Sequence, residues 1–338
     1  MSDNRQGELE NWLRGLPKFE SFEIVLASGD ASFRRYFRIT RASDGQSFIA
    51  MDAPPDKEDC HPFVDIAQAM RQMGLNTPKI FEQDLTQGFL LLSDFGDEQY
   101  QAHLNTESVE RLYGDALDAL FCLQTEWPKV ATTIPDYDHP LLMREMKLFP
   151  EWFLGQHLQV QLSTQETEQL QSVFEALAQS ALAQPQVWVH RDYHSRNLML
   201  VEKNNPGVLD FQDAVVGAVT YDLVSLLRDC YIAWPIEQVE QWVKQYRQRL
   251  SDAGWSLGDD KRFLRDFDLM GVQRHLKAIG IFARLNHRDG KTGYLADIPR
   301  TLTYVQTVCE KYSELKFLNS LISEKVLPVF NQTNGQRL

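Results

Sequence analysis

The stretch His190-Arg191-Asp192-Tyr193-His194-Ser195-Arg196-Asn197-Leu198-Met199-Leu200-Val201-Glu202-Lys203-Asn204-Asn205-Pro206-Gly207-Val208-Leu209-Asp210-Phe211-Gln212-Asp213 decides how the rest of the chain is read. Two apolar runs, 198–201 and 208–211, flank the turn-forming Lys203-Asn204-Asn205-Pro206-Gly207, the pattern of a β-hairpin. If Met199 faces Val208 (199 + 208 = 407), then Asn197 faces Asp210 (197 + 210 = 407). Opposed residues of an antiparallel pair lie roughly 4.5–5.5 Å apart at Cα. An amide oxygen and a carboxylate at that spacing suit a hard cation such as Mg²⁺, which is usually held together with substrate phosphates. The hairpin is therefore a candidate metal clamp, with Asn197 and Asp210 as ligands.

Asp192 stands five residues before Asn197, on the loop that follows the buried-looking run Val187–Val189. A carboxylate there can take a proton from an acceptor hydroxyl beside a metal-held phosphoryl donor, which makes Asp192 the candidate catalytic base. His-Arg-Asp, four residues, Asn, and a downstream Asp-Phe resemble the catalytic core of protein kinases. Gln212 in place of the usual glycine, and Tyr193-His194 after the aspartate, make the chain more similar to the aminoglycoside and choline phosphotransferase branch of the kinase-like fold. Asp94-Phe95-Gly96 has the letters of a kinase motif without a preceding His-Arg-Asp, and reads as a linker turn.

Composition sets outer limits. With 338 residues, 43% hydrophobic and 24% charged, the chain has room for a sizeable core in one large or two modest domains. A net charge of −13 argues against a nucleic-acid partner, because phosphate backbones are bound by basic surfaces. Cys60, Cys122, Cys230 and Cys309 are too scattered for a zinc site or a disulfide framework, and are expected as reduced thiols. There is no apolar leader and no run near the ~18 residues of a membrane span, so a cytoplasmic protein with no membrane partner is expected.

Along the chain, Leu9, Trp12, Leu13 and Leu16 share one helical stripe closed by Gly15 and Pro17. Strand-like runs follow at 22–26, 33–39 and 48–51, although Arg34, Arg35 and Arg38 spoil the alternation of the second. A helix-like 62–73 precedes two more runs at 79–82 and 88–92. From residue 107 the period changes to 3.6, with a capping box at Ser163 and Glu166 and helices expected at 221–231, 236–250, 262–286 and 300–322. The polar tail from Asn331 is expected to fray. The reading is an α+β, protein-kinase-like two-lobed fold: a small five-stranded antiparallel N-lobe over 1–93, ending at a hinge, and a large, mainly helical C-lobe over 94–338.

The resemblance implies ATP and Mg²⁺ as cofactors. It places Ser28, Gly29, Asp30, Ala31 and Ser32 in a nucleotide-covering loop and Leu92 at the hinge that meets the base. The third strand carries Met51 where kinases carry a phosphate-pairing lysine. Arg34, Arg35 or Lys57 then has to supply that charge, unless metal and backbone suffice or the chain is a kinase-shaped regulatory protein. Asp222 either caps its own helix or reaches back to the 190–192 backbone.

Acceptor-shaping runs at 142–154, 273–285 and 289–300, together with 207–230, look like the bacterial sugar kinases that phosphorylate the anomeric hydroxyl of N-acetylmuramate and N-acetylglucosamine in cell-wall recycling. That resemblance implies a small sugar substrate. Glu145, Trp152, His194, Arg196, Arg274 and Arg284 are the candidate contacts, and an arginine among them, or Arg144, would suit an acidic sugar. The alternative acceptor is a cationic amino-alcohol, aminocyclitol or aminoglycoside.

Overall fold

The computed structural model describes residues 2–29 and 33–335; Asp30, Ala31 and Ser32 of the expected loop lie outside the described residues. Two compact units emerge. One comprises Met1–Cys122, Glu126–Thr132 and Arg196–Asp213, and the other Leu123–Thr125, Thr133–Ser195 and Ala214–Leu338. The hairpin segment thus packs with the N-terminal sheet, and no single cut after residue 93 separates the units.

In the first unit, α1 (Ser2–Arg14) leads into β1 (Phe22–Gly29), β2 (Arg35–Arg41), β3 (Ser47–Asp52), β4 (Ile80–Asp84) and β5 (Phe89–Ser93), with α2 (His61–Met73) between β3 and β4. They form one antiparallel sheet of order β1-β2-β3-β5-β4. Opposed pairs share a face. Phe37, Ile39, Phe48, Ala50, Phe89 and Leu91 pack with Leu9 and Leu13 of α1 in one core. The cross-strand pairs Tyr36–Met51, Arg38–Ile49, Ile49–Leu92 and Met51–Leu90 occupy the other face.

This division explains the arginine-crowded second strand. Arg35, opposite Asp52, lies on the α1 side, where buried Asp52 also receives Arg5. Arg38 lies on the other side and forks onto Asp94 at 2.6 and 3.2 Å. The period of two was intact; ion pairing let charged residues occupy both faces.

The short helix α3 (Tyr100–His103) and α4 (Val109–Glu126) follow. The remaining helices, α5 (His139–Met146), α6 (Thr164–Leu182), α7 (Tyr221–Leu227), α8 (Ile236–Asp252), α9 (Asp260–Asp289), α10 (Ile298–Cys309), α11 (Lys316–Leu321) and α12 (Leu327–Gly335), belong to the second unit. The Ser163–Glu166 capping box is present at the start of α6. Two expectations need correction. The helix expected over 221–231 ends at Leu227. That over 300–322 is broken into α10, a tight turn at Ser313–Leu315, and α11. Of the tail expected to fray, residues 331–335 continue α12 and 336–338 lie outside the described residues.

Central α9 is buried along most of its 30 residues, which erases the one-sided stripe of a surface helix. A side chain at its Gly280 would meet the Leu148 backbone at 2.4 Å, so the close crossing requires glycine. Gly280→Ala is expected to cost about 1–3 kcal/mol by overpacking, measured by chemical denaturation. Gly114→Ala, on α4 with open space around it, is expected to stabilise by about 0.5–1 kcal/mol.

Candidate active site

The hairpin register differs by one from the expected pairing: Leu198 faces Val208 and Met199 faces Gly207. Leu209 N–H donates to the Asn197 carbonyl at 2.9 Å, so Leu209 is the residue opposite Asn197 along the backbone. The Asn197 and Asp210 side chains meet all the same, Nδ2 to Oδ2 at 3.3 Å. The reason is local: Asp210 has φ +62°, a left-handed conformation that swings its carboxylate out of the strand alternation. Gln212 Nε2 donates to its other oxygen at 2.7 Å. Gly207 is fixed by the Phe95 ring, 2.8 Å from where a Cβ would stand.

Around this pair the first unit encloses a cavity of about 370 Å³. Tyr36, Arg38, Ile49 and Leu92 of the sheet form one wall, Ser93-Asp94-Phe95-Gly96 another, and Arg196, Asn197, Met199, Asp210 and Phe211 a third. Phe63 of α2 closes it beside Phe211, ring centroids 4.9 Å apart. Asp94-Phe95-Gly96 is a turn, with Gly96 at φ +79° donating to Asp94 at 2.8 Å, and it is also cavity wall. That second role was invisible in the letters.

The pair fits a hard divalent cation in donor chemistry: one carboxylate and one amide, with the amide's nitrogen placed toward Asp210 and its oxygen brought round by a rotation of the group. Among the described residues no three acidic, histidine or cysteine side chains are placed to hold a metal ion together; Mg²⁺ commonly takes one or two carboxylates with phosphate and water oxygens.

Asp192 belongs to the second unit. Asp192 is partly buried, and desolvation opposes its ionisation, yet the charges of Lys277, His194, Arg274 and Arg191 outweigh that and hold it below the usual carboxylate range. The loop carrying it is clamped from several directions. Asp222 accepts the His190 and Arg191 backbone N–H groups at 2.6 and 3.0 Å, which selects the second of the two roles open to it. Burial pushes the Asp222 carboxyl up to about 7, with those two donors pulling the other way. His190 Nδ1 accepts from Asp192 N–H at 3.3 Å, and Asp229 accepts from Ser195 N–H at 2.9 Å. Arg191 is held at φ +76°, its guanidinium paired with Glu145 and lying over the Tyr137 ring.

Glu145, expected at the acceptor, is 6% exposed and engaged by Arg191, by Lys277 at 3.1 Å and by the Tyr137 hydroxyl. Burial opposes its ionisation, but Lys277 and Arg191 hold it below its ordinary range. Arg274 is buried, with Nη1 3.7 Å from Cys230 Sγ, and is among the charges acting on Asp192. His194 meets the Tyr231 ring edge-on at 5.2 Å. Arg284 is ten residues farther along α9 (284 − 274), about 15 Å away. Trp152 is half-buried on the separate 149–157 segment, and Arg196 lines the first unit's cavity, bonded to Gln101 at 2.9 Å. The structure thus gathers Glu145, His194 and Arg274 around the Asp192 loop, with Arg284 farther along α9. Of the nucleotide candidates, Ser28 and Gly29 end β1 opposite Tyr36 and Arg35, and Leu92 lines the cavity. Lys277, Tyr137 and Asp229 went unnoticed in the sequence because nothing local marks a helical lysine, a tyrosine or a loop acid as a neighbour of the 190–195 loop or of Glu145.

Comparison with known proteins fits this geometry. Residues 23–262 match the phosphotransferase enzyme family. The chain belongs to that family. It is a kinase, which removes the regulatory-protein alternative raised by Met51. A curated relative from Pseudomonas aeruginosa, named N-acetylmuramate/N-acetylglucosamine kinase, is 47% identical over 302 residues, covering 89% of this chain and 88% of the relative. One of the same name from Neisseria meningitidis is 41% identical over 325 residues, covering 95% and 96%. The fold is similar to that of an ethanolamine kinase from Plasmodium vivax, TM-score 0.60 at 12% identity, covering 90% of this chain and 88% of that one. It is also similar to a choline/ethanolamine kinase family protein from Mesorhizobium loti, TM-score 0.58 at 13% identity, covering 93% and 99%. The kinase-like α+β fold expected from the sequence is the fold observed.

Removing the Asp222 clamp orphans two backbone donors that burial keeps from water. Asp222→Ala is expected to cost about 1–3 kcal/mol for each, measured by denaturation, and to lower turnover.

Proposed function

We propose that this kinase transfers the terminal phosphoryl group of ATP to the anomeric hydroxyl of an N-acetylated amino sugar, N-acetylmuramate or N-acetylglucosamine, giving the sugar 1-phosphate. The observation that carries the choice of acceptor is the 47% identity, spread over 89% of the chain, to a kinase named for those two sugars. The chemistry is supported by an Asp192 kept ionised and by the Asn197–Asp210 pair in the cavity wall.

In this proposal the cavity between the sheet and the hairpin takes the nucleotide, with the base against Leu92 and the 93–96 turn. Asn197 and Asp210 would hold Mg²⁺, whose contribution when bound is to neutralise charge on the donor phosphates. Asp192 orients the sugar hydroxyl and accepts its proton as the new O–P bond forms and the bond to the departing ADP breaks. Ionisation at neutral pH is what a proton acceptor needs, and the cations around Asp192 provide it. Positioning carries much of the rate, and the Asp222 and Asp229 contacts to the loop backbone serve that purpose. Arg274, a buried cation in this neighbourhood, would favour the carboxylate of N-acetylmuramate. We place the protein in the cytoplasm, where ATP and small sugars are available; no helix among the described residues is long and apolar enough to cross a membrane.

Asp192→Asn is expected to lower kcat by roughly 10²–10⁴-fold with ATP affinity unchanged, since only the proton acceptor is lost; wild-type turnover in this variant would remove the role given to Asp192. Asp210→Ala should abolish the Mg²⁺-dependent part of nucleotide binding in calorimetry, and chelation of Mg²⁺ from the wild type should reproduce that loss. Phosphorus NMR of a panel of sugars, amino-alcohols and aminoglycosides with ATP and Mg²⁺ tests the acceptor. A sugar 1-phosphate is expected, and phosphate on a different hydroxyl or on an amino-alcohol would replace the sugar reading.

A further inference from the structure

Gln212 stands where the kinase motif has glycine, two residues after Asp210. A glycine there has no side chain with which to touch the preceding aspartate. Gln212 folds its amide back on that aspartate, and Nε2 donates to Asp210 Oδ1 at 2.7 Å. The other oxygen, Oδ2, meets Asn197 Nδ2 at 3.3 Å. The two carboxylate oxygens therefore have different neighbours: one is held by glutamine, and one faces the second ligand of the proposed cation site.

Charge fixes which way the Gln212 amide points. Turned over, its oxygen would meet a carboxylate oxygen at the same distance, two acceptors with no proton between them. In the orientation that remains, Oε1 is buried with no hydrogen-bond partner among the described residues, on a side chain 8% exposed. An unpaired buried acceptor costs about 1–3 kcal/mol. The glutamine thus serves Asp210 at a cost in local stability, which points to a task at the cation site rather than in the core. The backbone that carries it is well held. Phe211 is fully buried with its ring 4.9 Å from that of Phe63, and Asp210 sits at φ +62°, which brings its carboxylate within reach of a side chain two residues on.

We infer that Gln212 is the positioning residue that sets which cation this site accepts. The positive end of its N–H dipole stands at Oδ1, where a second metal–oxygen bond would otherwise form, and biases Asp210 toward binding through Oδ2 alone. Mg²⁺ demands near-ideal octahedral geometry and usually keeps several waters, whereas Ca²⁺ takes more oxygens in a looser shell and accepts both oxygens of one carboxylate. An aspartate restricted to one oxygen favours Mg²⁺ over Ca²⁺. The inference rests on the metal clamp and nucleotide cavity proposed above, and adds to them the source of cation choice.

The test is calorimetry on the full chain with a non-hydrolysable ATP analogue, at saturating Mg²⁺ and separately at saturating Ca²⁺. Gln212→Met keeps the length of the side chain and removes its donor. It is expected to weaken analogue binding with Mg²⁺ about 10-fold or more, the usual effect of removing the partner of a metal ligand. Binding with Ca²⁺ should hold or tighten, so the ratio of Mg²⁺ to Ca²⁺ affinity should fall by at least about 10-fold. Gln212→Glu sets a second carboxylate beside Asp210 and should move the ratio in the same direction by tightening Ca²⁺; this variant carries the test if Gln212→Met does not fold. Equal weakening with both cations is what a merely structural role predicts. That outcome, an unchanged ratio, or a wild type that binds the analogue as tightly with Ca²⁺ as with Mg²⁺ would each overturn the inference. Wild-type nucleotide binding that needs no divalent cation would instead bring down the metal clamp itself, and this inference with it.

Discussion

A buried carboxylate between two cations is the interaction on which the second unit's chemistry depends. Glu145 on α5 joins Arg191 of the loop to Lys277 of α9, so three distant segments are tied at one point. Burying an isolated charge is expensive, and removing one partner of such a set leaves the others uncompensated. The set therefore stands or falls together. Its by-product is a positive potential at Asp192, strong enough to keep a partly buried carboxyl ionised. Arg191 reaches Glu145 from a left-handed backbone, a conformation that needs outside restraint, and Asp222 supplies it through two backbone bonds.

The first unit solves a different problem with the same means. A small sheet must bury one face against α1 and keep the other available for a ligand. Alternation assigns Phe37, Ala50 and Leu91 to the core and Tyr36, Ile49 and Leu92 to the cavity. Charged residues on both faces are accommodated by pairing: Arg5 and Arg35 on Asp52, Arg38 on Asp94 and Asp97. The turn at 93–96 and the hairpin complete the cavity, and glycine at 207 lets Phe95 lie directly on the hairpin backbone.

The expected hairpin pairing was wrong by one residue, and the two side chains it was meant to unite are nevertheless in contact. Summing residue numbers assumes that both strands stay regular through Asp210. A left-handed residue breaks that assumption, and its energetic signal is too small and too local to read from neighbouring letters. Glu145 was expected to face a sugar and serves instead to balance two cations. A glutamate on a short amphipathic helix carries no mark of which lysine, 132 residues later (277 − 145), will meet it.

By itself the sequence determined the kinase-like class, the five strands with their interposed helix, and the loop and hairpin that hold Asp192, Asn197 and Asp210. These follow from periodicity, turn residues and motif spacing, all properties of short segments. Tertiary structure alone decided which arginine faces the cavity, which acid clamps the loop, and where the charge on Asp192 finds its counterweight. Those outcomes depend on segments far apart in the chain arriving at one place, where low dielectric makes each charge answer to its new neighbours rather than to its sequence.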